Sequence, residues 1–207
     1  MAHKFADIAF TPNVRAVQQA EGSRRSYARL DDGPDHHDSI GAAESEFIEA
    51  RDSFYMATVS ETGWPYIQHR GGPKGFVKVL SPRLIGFADF RGNRQYVTVG
   101  NLAANDRVSL FFMDYPNQRR LKLLGRVRLV DLKDDPSTIP KLETPEYGAR
   151  PERGFLIEVE AFDWNCPQHI TQRFLLEEVR PGIERLQSRI EELEAKLAAL
   201  GATESVP

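Results

Sequence analysis

From Ser53 to Asp163 the chain runs in short stretches of alternating apolar and polar residues. Alternation at a period of two predicts strands; apolar residues three and four apart predict helices. Ser53–Val59 and Tyr66–Arg70, split by a turn at Glu61-Thr62-Gly63-Trp64-Pro65, predict a hairpin. Phe76–Leu80, Leu84–Ala88, Arg107–Met113, Gln118–Val130 and Gly154–Asp163 predict further strands, and Gly125 marks a bulge in the longest. The connections are mostly of hairpin length. The predicted architecture is therefore mainly β, an antiparallel sheet closed into a small barrel with few helices.

The period changes in three other places. Tyr96, Val99, Leu102 and Ala103 fall at helical spacing after Asp89-Phe90-Arg91-Gly92-Asn93-Arg94, which predicts strand, polar turn and helix. Asn93 is the expected N-cap, and Gly92 the residue that lets the chain turn. Val97, Thr98, Val99 and Gly100 are poor helix formers, so packing must hold this helix. Ala42–Arg51 predicts a helix with Phe47, Ile48 and Ala50 inward and Glu44, Glu46 and Glu49 on a wet face. Ile183, Leu186, Ile190, Leu193, Leu197 and Leu200 are spaced 3, 4, 3, 4, 3, the a and d pattern of a parallel coiled-coil dimer. In that arrangement Arg189 faces Glu194 of the other helix; the alternative is a helix packed on its own barrel. Thr11-Pro12-Asn13 opens a short helix with Val14 and Val17 on one side. Ser23–Gly41 and Asp131–Arg153 predict loops. Three segments follow: an extension over 1–41, a barrel domain over 42–178, and a C-terminal helix and tail over 179–207.

A net charge of −3 and a pI of about 6.0 give no global attraction to nucleic acid or anionic lipid. The single cysteine, Cys166, forms no internal disulfide and fits a reducing, cytoplasmic setting. No apolar run approaches the ~20 residues of a membrane span, and MAHKFADIAF lacks the apolar core of a signal peptide.

The candidate chemistry is anion binding. The first turn of a helix presents unpaired N–H groups and a positive dipole end, and Arg91 and Arg94 add two charges there. That combination suits a phosphate monoester, against the plainer reading of a solvated arginine turn. The glycine-rich loop Arg70-Gly71-Gly72-Pro73-Lys74-Gly75 lies one strand earlier. Neighbouring elements usually pair, which brings Arg70, Lys74 or Lys78 toward the same phosphate. A second cluster spans Trp164–Phe174. There Cys166 reads as a nucleophile or a small buried thiol, and His169 as a base or a hydrogen-bonding group. His36-His37 reads as solvated or as a metal pair; the five histidines show no zinc-ligand spacing, and no metal is predicted. No nucleophile elbow, Walker motif or dinucleotide fingerprint is present.

Phe76-Val77, Phe87–Arg94, Asn101-Leu102, Leu110-Phe111-Phe112 and Leu123–Val127 together resemble the pyridoxamine 5'-phosphate oxidase-like, FMN-binding split-barrel family over about 45–175. The resemblance implies a homodimeric antiparallel split β-barrel with FMN at the subunit interface. It implies that the turn from Asp89 through Arg91 to Asn93 and Arg94 grips the FMN phosphate. It places the backbone of Phe76, Val77 and Lys78 along the isoalloxazine ring. Gln118 or Arg120 stands where the family supplies a polar group to that ring, and Gln168, His169 and Arg173 reach toward it. The chain departs from the true oxidase: Gly92-Asn93-Arg94 replaces the serine–arginine–lysine phosphate motif, and the Arg-x-His pattern for pyridoxal phosphate is missing. Vitamin B6 oxidation is not expected. The expected function is an FMN-dependent oxidoreductase, with catalytic residues left open. The alternatives are a flavin-binding sensor, carrier or storage protein, or the same barrel holding a deazaflavin or haem.

Overall fold

The structure is a computed structural model, and it describes residues 3–31, 36–131, 135–144 and 146–203. In chain order the elements are α1 (Lys4–Ala9), α2 (Pro12–Ala20), α3 (Arg24–Ala28), α4 (Ala42–Glu49), β1 (Ser53–Val59), β2 (Pro65–Gly71), β3 (Lys78–Ser81), β4 (Leu84–Phe90), α5 (Val97–Ala104), β5 (Arg107–Asp114), β6 (Arg119–Asp131), α6 (Ile139–Leu142), β7 (Pro151–Asn165) and α7 (Leu176–Thr203).

The seven strands form one antiparallel sheet in the order β2-β1-β5-β6-β7-β4-β3. Four strand spacings separate β1 from β4, about 19 Å in a flat sheet. Yet the rings of Phe54 on β1 and Phe87 on β4 lie 5.4 Å apart. The sheet therefore rolls on itself, and the fold is a split β-barrel around an apolar interior. Phe54 stacks on Phe112 at 4.9 Å, and Phe87 on Phe155 at 4.9 Å. Phe54, Met56, Ile85, Leu110, Leu121, Leu123 and Ile157 are fully enclosed. Burial of each such side chain stabilises by roughly 1.5–3 kcal/mol. Register slips at Gly125, as the broken alternation predicts. A Cβ there would meet the Glu158 carbonyl oxygen at 2.5 Å, so only glycine fits the bulge.

Several boundaries differ from the sequence expectation. The strand expected from Phe76 begins at Lys78, because Phe76 still belongs to a turn, its N donating to the Pro73 carbonyl at 2.9 Å. Glu46 and Glu49 are exposed, as expected, although Glu49 also accepts from Val79 N at 3.3 Å; Glu44 is half-buried and accepts from Trp164 Nε1 at 2.8 Å and Gly41 N at 3.1 Å. The predicted loops hold α3 and α6, with Leu142 of α6 buried against Ala88, Val130 and Leu156. The short helix expected from Thr11-Pro12-Asn13 is present, and Thr11 caps it, its Oγ1 accepting from Val14 N at 3.4 Å. The segment before it also carries α1, which its mixed pattern does not announce. Asp32–Asp35 of the acidic loop lies outside the described residues.

The chain divides into two compact units, Met1–Asp114 with Arg119–Gln168, and Tyr115–Gln118 with His169–Pro207. In the second, α7 starts at Leu176 and passes through Pro181, so it is longer than the heptads alone predict. Ile183, Leu186, Ile190, Leu193, Leu197 and Leu200 are all exposed. Arg189 and Lys196 each bond Glu192 of the same helix at 2.5 Å.

Candidate anion-binding cleft

Beyond Phe90 the chain leaves β4 and crosses to α5 through six irregular residues. α5 begins at Val97, not after Asn93. Its N-cap is Tyr96, in the left-handed region at φ 53°, and no side chain caps the first turn. Asn93 instead makes a local turn, its Oδ1 accepting from Gln95 N at 3.1 Å. That occupies the carboxamide oxygen and leaves the NH2 group for a ligand. Arg94 is also left-handed, at φ 62°. Two non-glycine residues in this region within three positions mark a strained turn, which structure must hold in place.

Packing supplies the support that propensity does not. Thr98 and Asn101 are buried on the inner face of α5. Thr98 Oγ1 donates to Gln68 Oε1 at 2.8 Å, and Asn101 Nδ2 to Thr58 Oγ1 at 2.9 Å. The helix is thereby fixed on β1 and β2, with its uncapped N-terminus toward the irregular turn.

A cleft of about 220 Å³ lies at this point, lined from β2 by Tyr66, Gln68 and Arg70, from β4 by Asp89, and from the turn by Asn93 and Arg94. Tyr96, Thr98 and Glu152 are among the other residues of its wall. Arg70 forms the floor. Its guanidinium bonds Asp89 Oδ1 at 2.7 Å and lies over Phe155, 5.1 Å from the ring centre. Arg153 reaches the other Asp89 oxygen at 3.5 Å, because β4 and β7 pair Asp89 with Arg153. Burial lowers the Arg70 pKa and raises that of Asp89; in each case the partner's charge works against the shift. Arg94 is fully exposed, with Nε donating to the Tyr96 hydroxyl at 3.4 Å, and that bond raises its pKa. The Tyr96 hydroxyl donates in turn to Glu152 at 3.2 Å. Four arginines (70, 91, 94, 153) meet two carboxylates (Asp89, Glu152) at this end of the sheet. The excess charge is positive and suits an anion.

Of the residues singled out from sequence, Arg70, Asp89, Asn93 and Arg94 share the cleft. Arg91 points to Glu152 at 3.8 Å and does not line it. Lys78 stands on β3 opposite Gly86, and neither it nor Lys74 lines the cleft. Phe76 and Val77 are core residues; Phe76 also edges a smaller recess of about 150 Å³ with His69 and Arg70. Arg120 sits on β6 opposite Asn165, its Nε buried without a hydrogen-bond partner. Gln168 and Cys166 are exposed, so Cys166 is not a buried thiol. In the second unit Gln118 Nε2 donates to the Ile170 carbonyl at 2.6 Å, Arg173 lies over Tyr115 at 4.9 Å, and His169 is exposed with φ 65°. Tyr66 and Gln68 escaped the sequence reading, although both follow from Arg70 by the strand period of two. Glu152 had no such signal, since it arrives from β7, sixty residues downstream.

A split β-barrel with a cationic cleft at a helix N-terminus is the class that the fold and the site define. The family model described as pyridoxamine 5'-phosphate oxidase matches residues 40–150, over half of the chain, and the chain belongs to that family. Among solved structures it is similar to HupZ of Group A Streptococcus, with 16% identity over 65% of this chain and 99% of that one and a TM-score of 0.50. A point variant of HupZ gives 16% identity, 61% and 99% coverage, and 0.50. A putative pyridoxamine 5'-phosphate oxidase from Lactobacillus delbrueckii gives 16% identity, 61% and 94% coverage, and 0.47. At these identities the likeness is one of fold. No curated protein matches the sequence.

Proposed function

We propose that the protein is an FMN-dependent oxidoreductase whose cleft holds the flavin phosphate. The observation that carries this reading is the uncapped α5 N-terminus facing Asn93 and Arg94 beside the arginine floor. Family membership supports it. The residues fit a phosphate monoester. The first N–H groups of α5 and the Asn93 NH2 donate to phosphate oxygens, and Arg94 adds a charge-assisted contact. Arg70 holds the floor rigid through Asp89. Bound FMN supplies hydride or electron transfer; the chain supplies placement and charge.

The cleft is smaller than the ~300–1,000 Å³ of sites that enclose a ligand of this size. One chain therefore covers the phosphate end, and a second copy covers the ring. A parallel pairing of the exposed α7 seams is the matching proposal for how two chains associate.

Titration of flavin-free protein with FMN and with riboflavin, read by flavin fluorescence, tests the site. FMN is expected to bind at least about a hundredfold more tightly, the worth of two charge-assisted contacts. Equal affinity for the two flavins overturns the phosphate assignment.

A further inference from the structure

The fold brings His3 against the adjacent pair His36 and His37, which lie far from it in the chain. His3 stands just before α1, and His36 and His37 lie in the stretch leading to α4. Backbone contacts fix both segments: His3 and His36 form an isolated parallel bridge, His3 N donates to the Leu30 carbonyl at 2.9 Å, and Lys4 N to the His36 carbonyl at 3.2 Å. The His37 carbonyl accepts from Phe162 N of β7 at 2.7 Å. The rings then meet. His3 stacks on His37 at 4.0 Å and 10°, His36 stands 4.5 Å from His37, and one nitrogen from each ring lies within 4.8 Å of the others.

Two observations point past simple packing. His3 is only 6% exposed, yet its Nδ1 has no hydrogen-bond partner, and His37 Nδ1 is likewise buried and unpaired. Native structures seldom leave such atoms unmatched without a water or an ion. In addition, Asp163 Oδ1 lies 3.6 Å from His3 Nε2. A carboxylate there keeps the proton on Nε2 and the Nδ1 lone pair free, the arrangement that orients a metal-bound histidine.

We propose that His3, His36 and His37 bind one divalent transition-metal ion of the zinc type, oriented by Asp163, and that the ion clasps the N-terminal segment to β7. Three imidazoles with no thiolate suit Zn²⁺, with a water in the fourth position. Tetrahedral Zn–N bonds set ligand nitrogens about 3.3 Å apart, so the rings close by up to about 1.5 Å through side-chain rotation. Asp7, Asp163 and Glu44 place negative charge around the cluster. Burial, the largest influence on both His3 and His37, lowers their pKa, a shift toward the neutral form that binds a metal. Asp163 lies ten residues along β7 from Arg153, about 30 Å, so this site is separate from the anion cleft.

The test uses the full chain without a histidine tag, stripped of metal and titrated with ZnCl2 by calorimetry. One ion per chain is expected, with affinity at least about tenfold lower in His3→Ala and His37→Ala and unchanged in His69→Ala. X-ray absorption of the zinc-loaded wild-type protein, which depends on no variant folding, is expected to show three imidazole ligands at about 2.0–2.1 Å. Absence of saturable one-to-one binding, a shell without imidazole, or affinity indifferent to both substitutions overturns the site. Trypsin cleavage after Lys4 that zinc leaves unchanged overturns the clasp.

Discussion

Arg70 and Arg94 line the same cleft but live in opposite surroundings. Arg70 has a carboxylate at 2.7 Å and aromatic rings beneath it, and its side chain is 13% exposed. Arg94 has one phenol hydroxyl and open solvent. Asp89 neutralises the first arginine, so that charge shapes the protein; the second retains donors that no described residue occupies. The difference teaches that a cationic cleft needs both kinds, one to hold its form and one to meet the ligand.

The largest effect is expected from Arg70→Met. It leaves Asp89 buried with Arg153 alone at 3.5 Å and should cost about 3–5 kcal/mol of stability. Urea unfolding measures it. Burial already raises the Asp89 pKa against the pull of Arg70 and Arg153, with Glu152 adding to the rise. Loss of Arg70 raises it further. A carboxyl with a raised folded-state pKa contributes stability at low pH that is lost as pH climbs from its ordinary value near 3.8 through the raised one. The deficit of Arg70→Met should therefore shrink as pH falls from 7 toward 4. A deficit that is constant with pH would show that lost packing, not stranded charge, is the cause.

A smaller and different effect is expected from Arg94→Ala. FMN affinity should fall about tenfold or more through loss of a charge-assisted contact, with riboflavin affinity and the unfolding midpoint unmoved. Unaltered FMN binding would place the phosphate elsewhere and end the contrast between the two arginines.

Much of this contrast was legible in the chain. Alternation, with the apolar runs at Leu84–Ala88 and Arg107–Met113, located the strands, and the Gly125 interruption located the bulge. The turn after β4 was legible as polar, glycine-containing and followed by helical spacing. Its detail was not, because Asn93 satisfies its own turn and the helix starts at a strained Tyr96, an outcome propensity does not encode. Asp89 was singled out, but its two arginine partners come from β2 and β7, and only the strand order and register join them. The histidine cluster was hidden for the same reason: spacing rules read neighbours in sequence, whereas a β-bridge between His3 and His36 is a contact made by folding.

Arg91 sharpens where the boundary between the two regions falls. It lies on the ligand side by sequence, three residues before Arg94, but its Nε faces Glu152 at 3.8 Å, and its side chain is 56% exposed. Such a pair contributes roughly 0.2–1 kcal/mol and is screened by salt. Its reach to an anion in the cleft is long-range charge, not contact. Arg91→Ala should therefore weaken FMN binding by less than about threefold at low ionic strength, and the effect should vanish near 0.5 M salt, where the screening length is only a few ångströms. The corresponding loss in Arg94→Ala persists in salt, because a direct bond to phosphate is shielded by the ligand itself. If Arg91→Ala matched Arg94→Ala in size and salt resistance, Glu152 would be a partner that Arg91 leaves when the anion arrives, and the ligand-facing region would begin at the first residue past β4.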